Sequence, residues 1–249
     1  MGSRFGEEGR ALSYGSYLKI PEILSLQKIL SDEHDELLFI VAHQVYELWF
    51  RLILHELDAV RDCIDAGDIF TANHRLRRVR VIEELLVKQI GVLETMSPQD
   101  FLAFRYKLAP ASGFQSVQFR EIEFLSGLKN AGYLERLEAT PEEKERLTRR
   151  LAEPSLADAL KAIIERRGSP TLLQIYQDRE HFGDLFSLCE ALLDHDEAFA
   201  EWRSRHVLMV ERQIGTKPGT GGSSGARYLH TTLAKRFYPE LWELRSQLT

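Results

Sequence analysis

The chain has 249 residues, 44% of them apolar, enough to bury a sizeable core in one large domain or two small ones. Its 32 Lys and Arg against 38 Asp and Glu leave a formal charge of −6, without the basic excess of a general nucleic-acid or anionic-membrane binder. Two cysteines, Cys63 and Cys189, exclude a disulfide framework and fit a reduced, cytoplasmic setting.

The N-terminal MGSRFGEEGR holds no apolar run, so no signal peptide is expected. Nor is any stretch read as approaching the ~18–20 apolar residues of a membrane span. From about Leu37 to Val60 the apolar residues recur at helical spacing in two stripes. One is Leu37, Val41, Val45, Leu48, Leu52; the other is Phe39, His43, Tyr46, Phe50. A helix apolar on two sides is buried, or faces both the core and a ligand. His55, Glu56 and Asp58 are expected to return it to solvent.

Asp65-Ala66-Gly67-Asp68 predicts a turn, followed by a helix with Leu76, Val79, Ile82, Leu86 and Leu93 on one strip. The basic run from His74 to Arg80 alternates with those core positions and reads as a solvated face. Ser97-Pro98-Gln99-Asp100 is a helix start, with Ser as N-cap and Pro at the first helical position. That short helix runs through Arg105 and Leu108 and breaks at Pro110-Ala111-Ser112-Gly113. Gln115 to Leu128 predicts another helix. Within 131–180, Thr140-Pro141 and Pro154-Ser155 open helices and Gly168-Ser169-Pro170 is a break; no obvious catalytic residue stands there. A long helix from Phe182 to Ile214 carries a seam at Leu185, Leu188, Leu192, Phe199, His206 and Val210. The loop GTKPGTGGSSG (215–225) follows, then short helices around Tyr228, Leu229 and Leu233, and around Leu241 and Trp242. No repeat and no strand is read, so the fold class is all-α, a helical bundle in a single domain, 1–249.

Four places can carry chemistry. His206 lies on the buried seam of the long helix, with Arg203 and Arg205 beside it. It reads either as a core histidine or as a neutral imidazole fit to ligate a haem iron. His43 shares its face with Phe39, Tyr46 and Phe50, an aromatic wall with one titratable group. It is either bonded to a carbonyl in the core or set over a flat ligand. Arg105 ends the apolar run Phe101-Leu102-Ala103-Phe104 and needs an anion. A carboxylate substrate and an internal Asp or Glu satisfy it equally. The loop 215–225 matches neither phosphate-binding glycine motif, so it is a linker or a lid whose N–H groups and Thr220 hydroxyl meet a zwitterion. No H-E-x-x-H, G-x-S-x-G or C-x-x-C is present, so a metal would be held by His, Asp, Glu or a cofactor.

Four blocks taken together resemble the tryptophan 2,3-dioxygenase family: LLFIVAHQVYELWFRLILHEL (37–57), FLAFRYKLAPASGFQSVQFR (101–120), EWRSRHVLMVERQIG (201–215) and KPGTGGSSG (217–225). A weaker match, LSYGSYLKI (12–20), lies near the N-terminus. The resemblance spans about 12–245 and is weakest at 130–180, which looks shorter than usual. It implies an all-helical oxidoreductase with b-type haem and O2 as co-substrate, usually a cytoplasmic homotetramer. The reaction it implies inserts both oxygen atoms into the indole C2–C3 bond of L-tryptophan to give N-formyl-L-kynurenine, opening tryptophan degradation. By position, His206 resembles the axial iron ligand, with Trp202 and Phe39 beside the haem. His43 resembles the histidine facing the indole N–H, and Arg105 the carboxylate clamp. Phe39 matches an indole-pocket wall, and Thr220 the group meeting the ammonium and carboxylate. Phe101 stands where some members carry Tyr. Tyr14 and Tyr17, in the segment 1–20, fall where the family lends residues to a neighbouring subunit's site. Two other readings share these features: a related haem oxygenase acting on a modified tryptophan or another aromatic amino acid, and a helical haem sensor or non-enzymatic bundle. Arg105 and Thr220 beside both histidines argue against the sensor, which needs no amino-acid clamp.

Overall fold

Capping chemistry divides the chain where its breakers fall. The computed structural model describes residues 12–248; the rest of the segment 1–20 and the last residue of 1–249 lie outside the described residues. In chain order the helices are α1 Tyr14–Tyr17, α2 Ile20–Ile23, α3 Glu36–Ala66, α4 Ile69–Leu93, α5 Pro98–Arg105, α6 Val117–Ser126, α7 Gly132–Arg136, α8 Pro141–Ala152, α9 Leu156–Arg166, α10 Leu172–Gln177, α11 Gly183–Ile214, α12 Ala226–His230 and α13 Pro239–Leu244. No strand occurs among the described residues, so the fold is all-α as the sequence predicts.

The local signals explain the boundaries. Gly67 adopts φ 79 to close α3, and the Asp68 carboxylate accepts from Thr71 N to open α4. Ser97 Oγ accepts from Asp100 N, with Pro98 in the first turn of α5. Thr140 and Ser155 cap α8 and α9 with reciprocal capping boxes. The predicted Gln115–Leu128 helix begins at Val117, after a single 3-10 turn over Gly113–Gln115. The short helices α7 and α10 fall in the stretch where the sequence was least informative.

The helix α4 packs against both α3 and α11. The latter two enclose a cavity, meeting at Tyr46 and Trp202 with ring centroids 6.2 Å apart. Leu76, Val79, Ile82 and Leu86 of α4 and Leu185, Leu188, Leu192 and Phe199 of α11 are buried together with Ile53, Leu57 and Val60 of α3.

Three expectations for α3 need correction. Leu37, Val41 and Leu48 of its first stripe are 48%, 42% and 59% exposed, whereas Tyr46 and Phe50 of the second are buried. Both stripes are apolar, and spacing alone does not say which one meets the core. Glu56 does not return the helix to solvent: it is buried, and Arg75 and Arg78 reach it across the hairpin at 3.2 and 2.6 Å. Part of the basic run of α4 therefore serves one buried carboxylate, because an unpaired charge there would be costly. Finally, α3 is long and apolar enough by length and composition to cross a membrane. Its apolar excess comes from bearing a core face and an exposed apolar stripe at once.

Candidate active site

The cavity has a volume of about 530 Å³, within the range of small-molecule and cofactor sites. The helix α3 brings Phe39 and His43 to it, α5 brings Phe101 and Arg105, α11 brings Trp202 and His206, and the glycine-rich loop brings Thr220. Residues more than 160 positions apart in sequence thus line one space. Tyr14 and Tyr17 are not among the lining residues; they stand 78% and 71% exposed.

Phe39 is the centre of an aromatic wall. Its ring lies 4.0 Å from His43, 5.7 Å from Phe101 and 5.8 Å from Phe104, centroid to centroid. His43 Nδ1 is 2.7 Å from the Phe39 carbonyl oxygen, one turn back on the same helix. A carbonyl only accepts, so Nδ1 carries the hydrogen and neutral His43 keeps Nε2 as an acceptor. Burial pushes the His43 pKa down, opposed by that carbonyl and by the charge of Glu47.

His206 is the second imidazole. It borders the cavity and is half-buried. Burial, with His43 adding a little, pushes its pKa down to about 4, so the ring is neutral at physiological pH. Trp202, one turn earlier, stacks on it at 4.9 Å with planes 8° apart and fixes its orientation.

Arg105 donates to the carbonyl of Pro218, and the Thr220 hydroxyl donates to the carbonyl of Ala111 at 2.6 Å. No carboxylate pairs with Arg105 among the described residues, so the internal-anion reading has no partner there. The loop is seated tightly. A Cβ on Gly221 would stand 2.6 Å from Ser112 Cβ, and one on Gly225 (φ +64) only 2.4 Å from the Lys217 carbonyl oxygen.

Sequence reasoning missed a third group on the wall. Arg120 and Arg203 both donate to Glu123, at 2.5 and 2.9 Å, and all three are buried. Burial would raise Glu123, but Arg120, Arg203 and then Lys235 outweigh it and hold its carboxyl below the ordinary value. Three cations thus face one carboxylate, and Arg120 Nε is buried without a partner. The available signal is Arg203, an arginine three residues before His206 on an apolar seam.

A second buried cluster, also missed, is outside the cavity. His195 bridges Glu83 and Ser126, with Nδ1 2.7 Å from Glu83 Oε1 and Nε2 2.8 Å from Ser126 Oγ. The order is that of a hydrolytic relay, but Ser126 is fully buried and does not line the cavity. The chain of bonds ties α4, α11 and α6 together. Next to it, Asp196 accepts from Phe237 N, Tyr238 N and Trp242 Nε1 at 2.9, 3.1 and 2.9 Å, anchoring the C-terminal segment.

No group of three His, Cys, Asp or Glu side chains fit to hold a bare metal ion occurs among the described residues. The neutral imidazole of His206 at an aromatic cavity instead suits a metal that arrives in its own macrocycle, and the surplus cations at Arg120 and Arg203 suit that group's acidic substituents.

Comparison with known proteins gives a consistent answer. The family model described as tryptophan 2,3-dioxygenase matches residues 2–174 and 166–248. The two stretches overlap at 166–174, around Gly168-Ser169-Pro170 and inside the segment 130–180 where the resemblance is weakest. A tryptophan 2,3-dioxygenase of Nocardioides sp. (strain ATCC BAA-499 / JS614) is 54% identical over 98% of this chain and 97% of its own length. One of Herpetosiphon aurantiacus is 49% identical over 96% of the chain and 99% of its own, and one of Caulobacter vibrioides 42% over 95% and 98%. The chain belongs to the tryptophan 2,3-dioxygenase family.

Proposed function

We propose that the protein is a haem-dependent dioxygenase that inserts both atoms of O2 into the indole C2–C3 bond of L-tryptophan, giving N-formyl-L-kynurenine at the head of tryptophan degradation. The observation that carries this reading is the convergence of His43, Arg105, Thr220 and His206 on one cavity of a chain 54% identical to a tryptophan 2,3-dioxygenase.

His206 would hold the haem b iron, with Trp202 and Phe39 against the macrocycle and Arg120 and Arg203 at its carboxylates. Bound there, the haem supplies the activation of O2. The remaining work belongs to the chain. Arg105 pairs with the tryptophan carboxylate, and Thr220 meets the carboxylate and ammonium. With both ends of the zwitterion held, the indole is oriented rather than free to tumble. His43 accepts the indole N–H on Nε2, the nitrogen left free by the Phe39 carbonyl. Phe39 and Phe101 exclude water, which strengthens the polar contacts that remain.

We further infer one functional domain over 1–249, a cytoplasmic location, and assembly as a homotetramer in which Tyr14 and Tyr17 reach a neighbour's site. The exposure of both tyrosines supports the last point. So do two exposed apolar stripes: Leu37, Val41 and Leu48 on α3, and Val81, Leu85 and Val92 on α4.

The test is anaerobic reduction of the haem-loaded protein, addition of L-tryptophan and O2, and mass analysis of the product. Gain of two oxygen atoms is expected. Gain of one would point to the related haem oxygenase of a modified tryptophan or another aromatic amino acid, here inserting a single oxygen atom, a reading the relatives do not favour. A protein that shows no Soret band and binds no haemin would overturn every haem reading.

A further inference from the structure

Two carboxylates lie on the cavity wall, Glu47 and Glu123. Glu123 is held between two arginines. Glu47 pairs with no cation among the described residues, yet both of its oxygens are engaged. Ser116 Oγ donates to Oε1 at 2.6 Å, and Gln118 Nε2 donates to Oε2 at 2.8 Å and to the Glu47 carbonyl at 2.9 Å. Only a carboxylate accepts on both sides. A neutral amide would turn its own NH2 toward one of the two donors.

The position matters as much as the bonds. Glu47 lies four residues after His43, on the same side of α3. Its donors belong to the start of α6, where Ser116 is also the N-cap, accepting from Phe119 N at 3.2 Å. Ser116 continues directly from the 3-10 turn Gly113–Gln115, which Ser112 and Gln115 close on themselves through Phe114 N and Ser112 N at 3.3 and 3.1 Å. The same turn touches the glycine-rich loop: Ala111 accepts from Thr220, and Ser112 abuts Gly221. An unbroken line of contacts therefore runs from the helix of His43, through Glu47, to the seat of Thr220.

We propose that Glu47 is a positioning residue that fixes the distance between the two ends of the amino-acid site, the indole end at His43 and the zwitterion end at Thr220. This rests on the tryptophan dioxygenase reading above. In that reading the ring and the zwitterion are gripped by different elements, so affinity depends on holding them in register. Glu47 is the polar joint that does so. Its hydrogen bonds go to Ser116 and Gln118, and none among the described residues goes to His43 or Thr220.

The experiment uses haem-loaded protein with two ligands: L-tryptophan, and 3-methylindole, which keeps the ring and lacks the amino-acid group. Glu47→Ala is expected to raise the KM for tryptophan about tenfold or more, with a smaller change in kcat, since small misplacements in a bound site have effects of this size. Binding of 3-methylindole and haem content are expected to stay within about twofold, because neither needs the clamp. Ser116→Ala should reproduce part of the effect. The Glu47→Ala, Ser116→Ala double variant should be little worse than Glu47→Ala alone, as befits two halves of one joint. An unchanged KM overturns the proposal. So does equal weakening of both ligands, which a generally loosened fold would give, or full additivity of the two substitutions. Glu47→Gln, which preserves volume and loses one acceptor, carries the same expectation if Glu47→Ala does not fold. Failure of the wild type to oxidise tryptophan is a separate outcome: it overturns the functional reading, and this proposal with it.

Discussion

His206 and His43 are both held neutral, and the surroundings of each give a different prediction. Burial pushes His206 from an ordinary 6.5 to about 4. A lone pair that survives to that pH keeps an iron ligand available below the usual range of imidazole. Haem uptake by the apoprotein, followed at the Soret band, should therefore persist as pH falls through 6.5 and be lost only nearer 4. Loss centred on 6.5 would mean an ordinary exposed ring. The linkage has the same sign: the stabilisation from burying neutral His206 is complete above its unfolded pKa and falls away as pH drops toward the folded one. His206→Ala should abolish stable haem binding, whereas His43→Ala should retain haem and slow turnover. The opposite pattern would exchange the two roles. For Arg105→Ala, the KM for tryptophan should rise by about 1.5–3 kcal/mol in equivalent free energy, the range for a hydrogen bond to a charged group, and an unchanged KM would make Arg105 structural. Both histidines and Arg105 were legible in the sequence as titratable or charged groups on apolar helical faces. Arg120 and Glu123 were not, because their meaning depends on a cavity wall assembled from three helices.

Elements whose ends carry caps and breakers were read almost to the residue. The predicted Phe182–Ile214 is Gly183–Ile214, and Ser97-Pro98 opens α5. What periodicity left open is direction. The two stripes of α3 have the same spacing, and only its packing partners α4, α6 and α9 decide which one is covered. Glu56 shows the same gap, since its arginine partners stand across a turn. The sequence of the glycine-rich loop fits either a linker or a lid, and its seating on the α5–α6 turn makes the choice testable. Gly225 has φ +64, and any Cβ there would meet the Lys217 carbonyl oxygen at 2.4 Å. Gly225→Ala should therefore displace the loop and raise the KM for tryptophan while leaving haem content intact. A passive linker would show no kinetic change.

At the scale of the whole molecule, the exposed stripes on α3 and α4 are the main unfinished feature of the surface. Placing Glu at both Val41 and Leu48 should lower the mass measured by light scattering, with helicity unchanged. An unaltered mass would remove the α3 face from any subunit contact. The all-α class was legible from the scarcity of breakers and the absence of alternating patterns. The ties that hold the bundle were not. The His195 bridge joins three helices, and Asp196 collects three donors from the last stretch of chain. Such bonds leave no local pattern, because donor and acceptor lie 41 to 112 residues apart.

Pro218 and Ala111 each turn a main-chain carbonyl toward the amino-acid clamp. They engage the guanidinium of Arg105 and the hydroxyl of Thr220. On the proposed reading, an arriving amino acid finds the Thr220 hydroxyl hydrogen and one N–H of Arg105 already given to the protein's own main chain, and it must displace those carbonyls to use them. The observed affinity is then lowered by the two bonds the loop gives up. The resting loop acts as a built-in competitor at constant concentration. Poor affinity for a ligand would thus report the strength of the loop's own grip as much as the quality of the ligand's fit.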